Sequence, residues 1–300
     1  MREALNVTVR NRLVQWQIFL APPTGMFLQI RWDVDPTIFQ WGPLAPRWYG
    51  LLFALGFLIG FYLMRRVFER EQKPEKDLDF LLFYLLGGTI IGARLGHILF
   101  YAPGYYFSNP IQIPMIQRGG LASHGGLIGV VLAIWIYCQR RDDQPFLWLL
   151  DRLAAPVALT GSLIRLGNFF NSEILGVPTD LPWGVVFERA ARIREGIEAV
   201  PLHPVQLYES ICYFLVFVLL WRLYQQQGSE TPRGQLVGLF FTLIFGARIV
   251  LEFFKMRQIH FEAALPMGLS MGQLLSIPAV AVGLWLWQRA AAPSSSPARR

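Results

Sequence analysis

The chain reads as an all-α polytopic membrane protein, with about seven transmembrane helices and a small outer-face subdomain. Three observations predict it. Of its 300 residues, 54% are hydrophobic and only 16% charged, with a mean hydropathy of +0.38, outside the range of an ordinary soluble domain. The apolar residues fall into runs near the ~20 residues that cross ~30 Å of hydrocarbon. The pairs Trp48/Tyr49, Phe100/Tyr101, Trp221/Tyr224 and Trp285/Trp287 mark run ends, as aromatic belts do. A formal charge of +7 raises nucleic acid as a partner, but the cations sit at span ends and form no basic stripe interleaved with stacking aromatics. No nucleic acid is expected. Cys138 and Cys212 stand far apart in apolar runs without ligand spacing, so neither a disulfide framework nor a zinc site is expected.

In chain order, residues 1–47 mix arginines with prolines. Their apolar piece, LVQWQIFLA, is broken by Gln15 and Gln17 and lacks a small-residue cleavage site. It reads as an interfacial N-terminal arm rather than a signal peptide. The transmembrane domain occupies 48–290, with spans expected at 48–63, 80–100, 124–137, 146–169, 206–224, 236–254 and 269–287. The third is short, and a re-entrant turn at Gly119 and Gly120 is expected before it. Segment 172–205, with Pro178, Pro182, Pro201 and Pro204, is the one sizeable outer excursion and reads as a lid. Residues 291–300 have the composition of a disordered tail. The loop arginines and lysines favour an N-terminus outside and a C-terminus in the cytoplasm.

The stretch at 161–176, GSLIRLGNFFNSEILG, breaks this apolar pattern. On a helix, Arg165, Asn168 and Asn171 fall at i, i+3 and i+6, with Glu173 near the same face. Charges in hydrocarbon are costly and usually face a bundle interior or a wet cavity, where they act. Under the expected topology Tyr49, His124, Arg165, Asn168, Tyr208, Glu209, Arg248 and Glu252 all reach the same, outer side. That coincidence points to one shared site.

His124, in SHGGLIG, has two following glycines that admit a close neighbour, and an imidazole both takes and gives a proton. Arg165 and Arg248 are permanent cations whose planar forks suit a phosphate. Structural readings stand beside these: an interfacial histidine, an Arg248 and Glu252 pair at i, i+4, a span cap made by Asn168, Asn171 and Glu173, a belt role for Tyr49, a loop arginine as partner of Glu209, and Arg152 as partner of Asp151. No metal or other cofactor is implied, since His124 has no companion ligands at usable spacing. A transporter for an anionic solute would also bury charge, but it favours internal repeats and polar residues through both membrane halves, and neither is evident.

In this order the runs VDPTIFQWGPLAPRWYG, GARLGHILFY, SHGGLIG, RLGNFFNSEILGVPTDLPWGVVF, HPVQLYE and ARIVLEFFK resemble the bacterial prolipoprotein diacylglyceryl transferases, over 34–273. The resemblance implies a seven-span inner-membrane enzyme. Its partners would be membrane lipid, in the form of phosphatidylglycerol, and the signal peptide of a prolipoprotein with its lipobox cysteine. It would move the diacylglyceryl group onto that thiol and release glycerol phosphate. By motif match, the family's essential histidine falls on His124 and its essential arginines on Arg165 and Arg248; other important positions fall on Tyr49, Asn168, Glu173, Gly176 and Glu252. Ile244 stands where the family often has a tyrosine, and RGGLAS precedes His124 where an acidic or aromatic residue is common.

Overall fold

The computed structural model describes residues 30–42, 45–116, 119–256 and 269–291. Most of the expected interfacial arm, and the tail beyond Ala291, lie outside them. The helices are α1 (Trp48–Arg70), α2 (Glu75–Tyr101), the short α3 (Pro103–Ser108), α4 (Ser123–Cys138), α5 (Phe146–Phe170), the short α6 (Glu188–Ile193), α7 (Val205–Gln227), α8 (Gln235–Leu251) and α9 (Met271–Ala291). Six of them, α1, α2, α5, α7, α8 and α9, are long and apolar enough to cross a membrane. The chain is an all-α polytopic membrane protein. The third span is short, as expected: α4 has 16 residues, and at ~1.5 Å per residue that falls short of ~30 Å of hydrocarbon. At the other extreme α1 passes its expected end at 63 and runs to Arg70. The i, i+4 pair of Arg65 with Glu69, 3.0 Å apart, supports that extra length, and Val67 and Phe68 are fully buried there.

The chain divides into two compact units, one from Met1–Gly60, Val157–Leu219 and Leu239–Trp285, the other from Phe61–Pro156, Leu220–Gly238 and Leu286–Arg300. In the first unit a small sheet of β1 (Ile30–Trp32), β2 (Val185–Phe187) and β3 (Pro201–Leu202) runs in that order. β1 lies parallel to β2, with Ile30 opposite Val185, and β3 is antiparallel to β2, with Leu202 opposite Val185. Trp32, Phe187 and Leu202 bury a common core with Leu175 and with Phe169 of the last turn of α5. The Trp32 and Phe169 ring centroids are 4.3 Å apart. The sheet is thereby fixed to the end of α5 that carries the polar stripe. Its strands come from the N-terminal segment as well as from 172–205.

In the second unit α2 and α4 touch backbone to backbone. A Cβ on Gly92 would come within 2.7 Å of the Gly129 Cα, and one on Gly96 within 2.6 Å of the Gly125 Cα. Small residues are what let membrane helices approach this closely. Elsewhere in the unit the Glu71 carboxylate accepts from Trp148 Nε1 at 2.8 Å, Arg152 Nε at 3.0 Å and Tyr224 Oη at 3.0 Å. Asp151 turns away from its neighbour Arg152, contrary to the pairing expected for it, and accepts the N–H groups of Gly234 and Val237 at 2.7 and 2.9 Å. Adjacent helical residues point about 100° apart, so each takes its own partner. Asp151 thereby caps the N-terminus of α8 from another helix.

Replacing Gly92 with Val should force α2 and α4 apart and lower stability by about 1–3 kcal/mol, the range for overpacking. Gly87→Ala, on the same helix where an added Cβ meets nothing within 4 Å, should leave it unchanged. Thermal unfolding in detergent, monitored by tryptophan fluorescence, compares the two.

Candidate functional site

The polar stripe of the first unit starts on α5. Arg165 and Asn168 are one turn apart, and Arg165 Nη1 donates to Asn168 Oδ1 at 3.4 Å. The helix then ends at Phe170, so Asn171 and Glu173 do not continue it as expected. Ser172 and Ile174 take positive φ, 52° and 56°, and the Glu173 N–H returns to the Asn168 carbonyl at 2.9 Å. The reversal brings the Glu173 carboxylate back over the helix end, where it accepts from Asn168 Nδ2 at 3.1 Å and from Asn171 Nδ2 at 3.3 Å. A tight C-terminal turn does what a helical face was expected to do. Tyr49, at the start of α1, packs on Gly167; a Cβ there would come within 2.9 Å of the Tyr49 ring.

Arg165 finds its counter-charge on α7: its Nε lies 3.0 Å from Glu209 Oε2. Glu209 is completely buried, and its other oxygen takes Lys255 Nζ at 2.8 Å. The loop arginine expected for Glu209 is not its partner. Lys255 also bonds Glu252 Oε2 at 3.0 Å, and this contact replaces the pair expected between Arg248 and Glu252. The reason is local. The chain tightens into a 3-10 turn at Glu252–Phe254, and three residues per turn aligns Glu252 with Lys255 rather than with Arg248. Glu252 also packs on Gly272 of α9, where a Cβ would come within 2.7 Å of the carboxylate. Arg248 is left half-buried, and its buried Nε has no hydrogen-bond partner among the described residues. A guanidinium N–H without an acceptor in such a setting calls for a ligand or water.

Gly176 is where three segments meet. It bridges to Lys255, Val177 N–H donates to the Phe254 carbonyl at 2.9 Å and His203 N–H donates to the Val177 carbonyl at 3.0 Å. A Cβ on Gly176 would run into the His203 backbone oxygen. From α7, the fully buried Gln206 donates to the Glu173 carbonyl at 2.5 Å. The first unit therefore holds together Tyr49, Arg165, Asn168, Asn171, Glu173, Gly176, Arg248 and Glu252.

His124 belongs to the second unit, at the N-terminus of α4. It is exposed, with the rings of Phe100 and Tyr101 at 5.3 and 5.8 Å between centroids. The segment leading to it is gathered by a residue that sequence reasoning missed. Arg94, buried on α2, donates to the carbonyls of Gln112, Ile113, Gly119 and Gly120 at 2.6 to 3.0 Å. Gly119 and Gly120, where the sequence suggested a re-entrant turn, take φ of 85° and 79°, and the Ala122 N–H then reaches the Ala93 carbonyl at 2.9 Å. Lys255, Gln206 and Gly272 were also missed. The i, i+3 spacing of Gln206 and Glu209 on an apolar helix was the available signal for Gln206. Among the described residues no group of three or more His, Cys, Asp or Glu side chains could hold a metal.

A set of charged groups ordered by one another at the ends of long apolar helices defines an integral membrane protein with a built polar site. Residues 36–289 match the family model described as prolipoprotein diacylglyceryl transferase, and the chain belongs to that family. It is 50% identical over 257 residues to the phosphatidylglycerol–prolipoprotein diacylglyceryl transferase of Chloroherpeton thalassium, covering 86% of this chain and 92% of that one. The protein of the same name from Tolumonas auensis is 52% identical over 255 residues, 85% and 95% of the two chains. That from Porphyromonas gingivalis is 45% identical over 267 residues, 87% and 94%.

Glu209→Ala would leave Arg165 and Lys255 without their shared anion. Breaking a buried pair this way costs about 3–5 kcal/mol, and Glu209→Gln, which keeps the acceptor oxygen, should cost less. Unfolding midpoints of both variants check the order.

Proposed function

We propose that this protein transfers the diacylglyceryl group of phosphatidylglycerol to the lipobox cysteine of prolipoproteins, the first step of lipoprotein maturation. It does so at the outer face of the bacterial inner membrane, with the N-terminus outside, the C-terminus in the cytoplasm and segment 172–205 as a lid. Family membership carries the reaction. The observation that carries the site is the Arg248 guanidinium, with a buried N–H that has no acceptor among the described residues, in the same unit as an Arg165 whose position is fixed by Glu209.

In the reaction the cysteine sulfur attacks the glyceryl carbon bonded to the phosphate oxygen. The S–C bond forms, the C–O bond breaks, and the electron pair leaves with glycerol phosphate. Two things are required of the enzyme. A free thiol has a pKa near ~8.5, so it must lose its proton to become a good nucleophile, and the departing phosphate needs charge stabilisation. His124 takes the thiol proton, a role resting on its motif and on imidazole chemistry. Arg165 and Arg248 hold the phosphate. Asn168, Asn171 and Glu173 keep the end of α5 in shape behind Arg165, Glu252 orients Lys255, Tyr49 seats α1 against Gly167, and Gly176 admits the close crossing of chain beside them. A transporter of anionic solutes would use the same charges, but the relatives bear transferase names.

The test is transfer of labelled diacylglyceryl from phosphatidylglycerol to a lipobox peptide by purified protein in detergent. Thioether product should form with the cysteine peptide and not with its serine counterpart. Arg165→Ala should lower the rate by on the order of 10² or more, the usual effect of losing one transition-state donor. His124→Ala turning over at the wild-type rate would remove it from proton transfer.

A further inference from the structure

At the end of α4 opposite His124 lies a cleft of about 590 Å³. It is lined by the start of α2, through Phe80 and Tyr84, and by the turn after α4, through Arg140, Arg141 and Asp142. The turn has a firm floor. Gln144, fully buried, donates to Asp77 Oδ2 at 2.7 Å and accepts from the buried Tyr137 hydroxyl at 2.6 Å.

The charges of this turn divide into satisfied and unsatisfied. Arg141 is paired with Asp77 at 2.8 Å and lies over the Tyr137 ring, 4.1 Å from its centroid. Asp143 is paired with Lys73 at 2.8 Å. Arg140 spends one N–H on the Tyr84 hydroxyl at 2.8 Å, and its other donors have no partner among the described residues. Asp142 has none there either. The cleft thus offers one cation and one anion two residues apart, both accessible. Beside it on α2 and α4, Phe80, which has the Arg141 guanidinium over its ring, Phe83 and Trp135 are 52%, 71% and 52% exposed.

We propose that this cleft binds the headgroup of a zwitterionic phospholipid bearing a primary ammonium, a phosphoethanolamine lipid. Arg140 takes the phosphate, with the Tyr84 hydroxyl beside it. Asp142 accepts the ammonium N–H groups, and the acyl chains follow the exposed aromatic face of α2 and α4. A purely anionic headgroup fits less well, because Asp142 would then face it unpaired. A choline headgroup carries the charge but has no N–H to give Asp142.

Native mass spectrometry of the full-length protein, titrated with phosphatidylethanolamine, phosphatidylcholine and phosphatidylglycerol of matched chains, tests this. Phosphatidylethanolamine should bind on the order of tenfold more tightly than phosphatidylcholine, the scale of a charged hydrogen bond. Asp142→Asn should remove that preference, Arg140→Ala should weaken both zwitterionic lipids, and Arg140→Lys should restore them in part. All four proteins should elute alike and keep diacylglyceryl transfer, since neither residue is among those proposed for it. Equal binding of phosphatidylethanolamine and phosphatidylcholine, or an ethanolamine preference that survives Asp142→Asn and Arg140→Ala, would overturn the proposal; phosphatidylglycerol also occupies the proposed transfer site, so its binding should be unchanged by Asp142→Asn.

Discussion

The first unit depends on the Glu209 carboxylate. A permanent cation inside a membrane protein needs a counter-charge or a dense set of acceptors, and here one fully buried carboxylate serves both Arg165 and Lys255. Through Lys255 it reaches Glu252, and Lys255 in turn bridges to Gly176. Through Arg165 it reaches Asn168, then Glu173. The helices α5 and α7 and the turn after α8 are thereby tied into one charge network. Arg248, in the same unit, is the guanidinium with a buried donor that no described residue meets. That division, one guanidinium held and one available, is what a site for an anionic group requires.

The second unit solves the same problem with dipoles. Arg94 is 5% exposed and is surrounded by backbone carbonyls rather than a carboxylate. The loop before His124 therefore gets its shape from a cation, and the cation its solvation from the loop. Two left-handed glycines make the geometry attainable, and at Gly120 a side chain would also strike Arg94 and His97. Glu71 is the mirror case, a buried carboxylate saturated by donors from Trp148, Arg152 and Tyr224.

What was legible in the sequence followed from strong physical penalties. Hydrocarbon thickness set the long spans, and the cost of charge in lipid singled out Arg165 and Arg248. The i, i+3 spacing joined Arg165 to Asn168 correctly. What was not legible turned on where helices stop and how tightly they wind. Glu173 joins Asn168 through a turn with two positive φ residues of ordinary type, Ser172 and Ile174, and no glycine signals it. Glu252 exchanges Arg248 for Lys255 because the last turn of that span winds as 3-10. Asp151 and Glu209 have partners 83 and 46 residues away in sequence, beyond the reach of any local pattern. The hydrogen bond that leads into α4, from the Ala122 N–H to the Ala93 carbonyl, likewise lies outside any local pattern.

The central claim is that the two guanidiniums of the first unit meet a lipid phosphate. An experimental structure with phosphatidylglycerol bound, in lipid nanodiscs, tests it most directly. The account predicts the phosphate within hydrogen-bond distance of Arg248 Nε and of the Arg165 guanidinium, with Glu209 still holding Arg165. A lipid phosphate bound elsewhere, with Arg248 satisfied by protein groups alone, would contradict it.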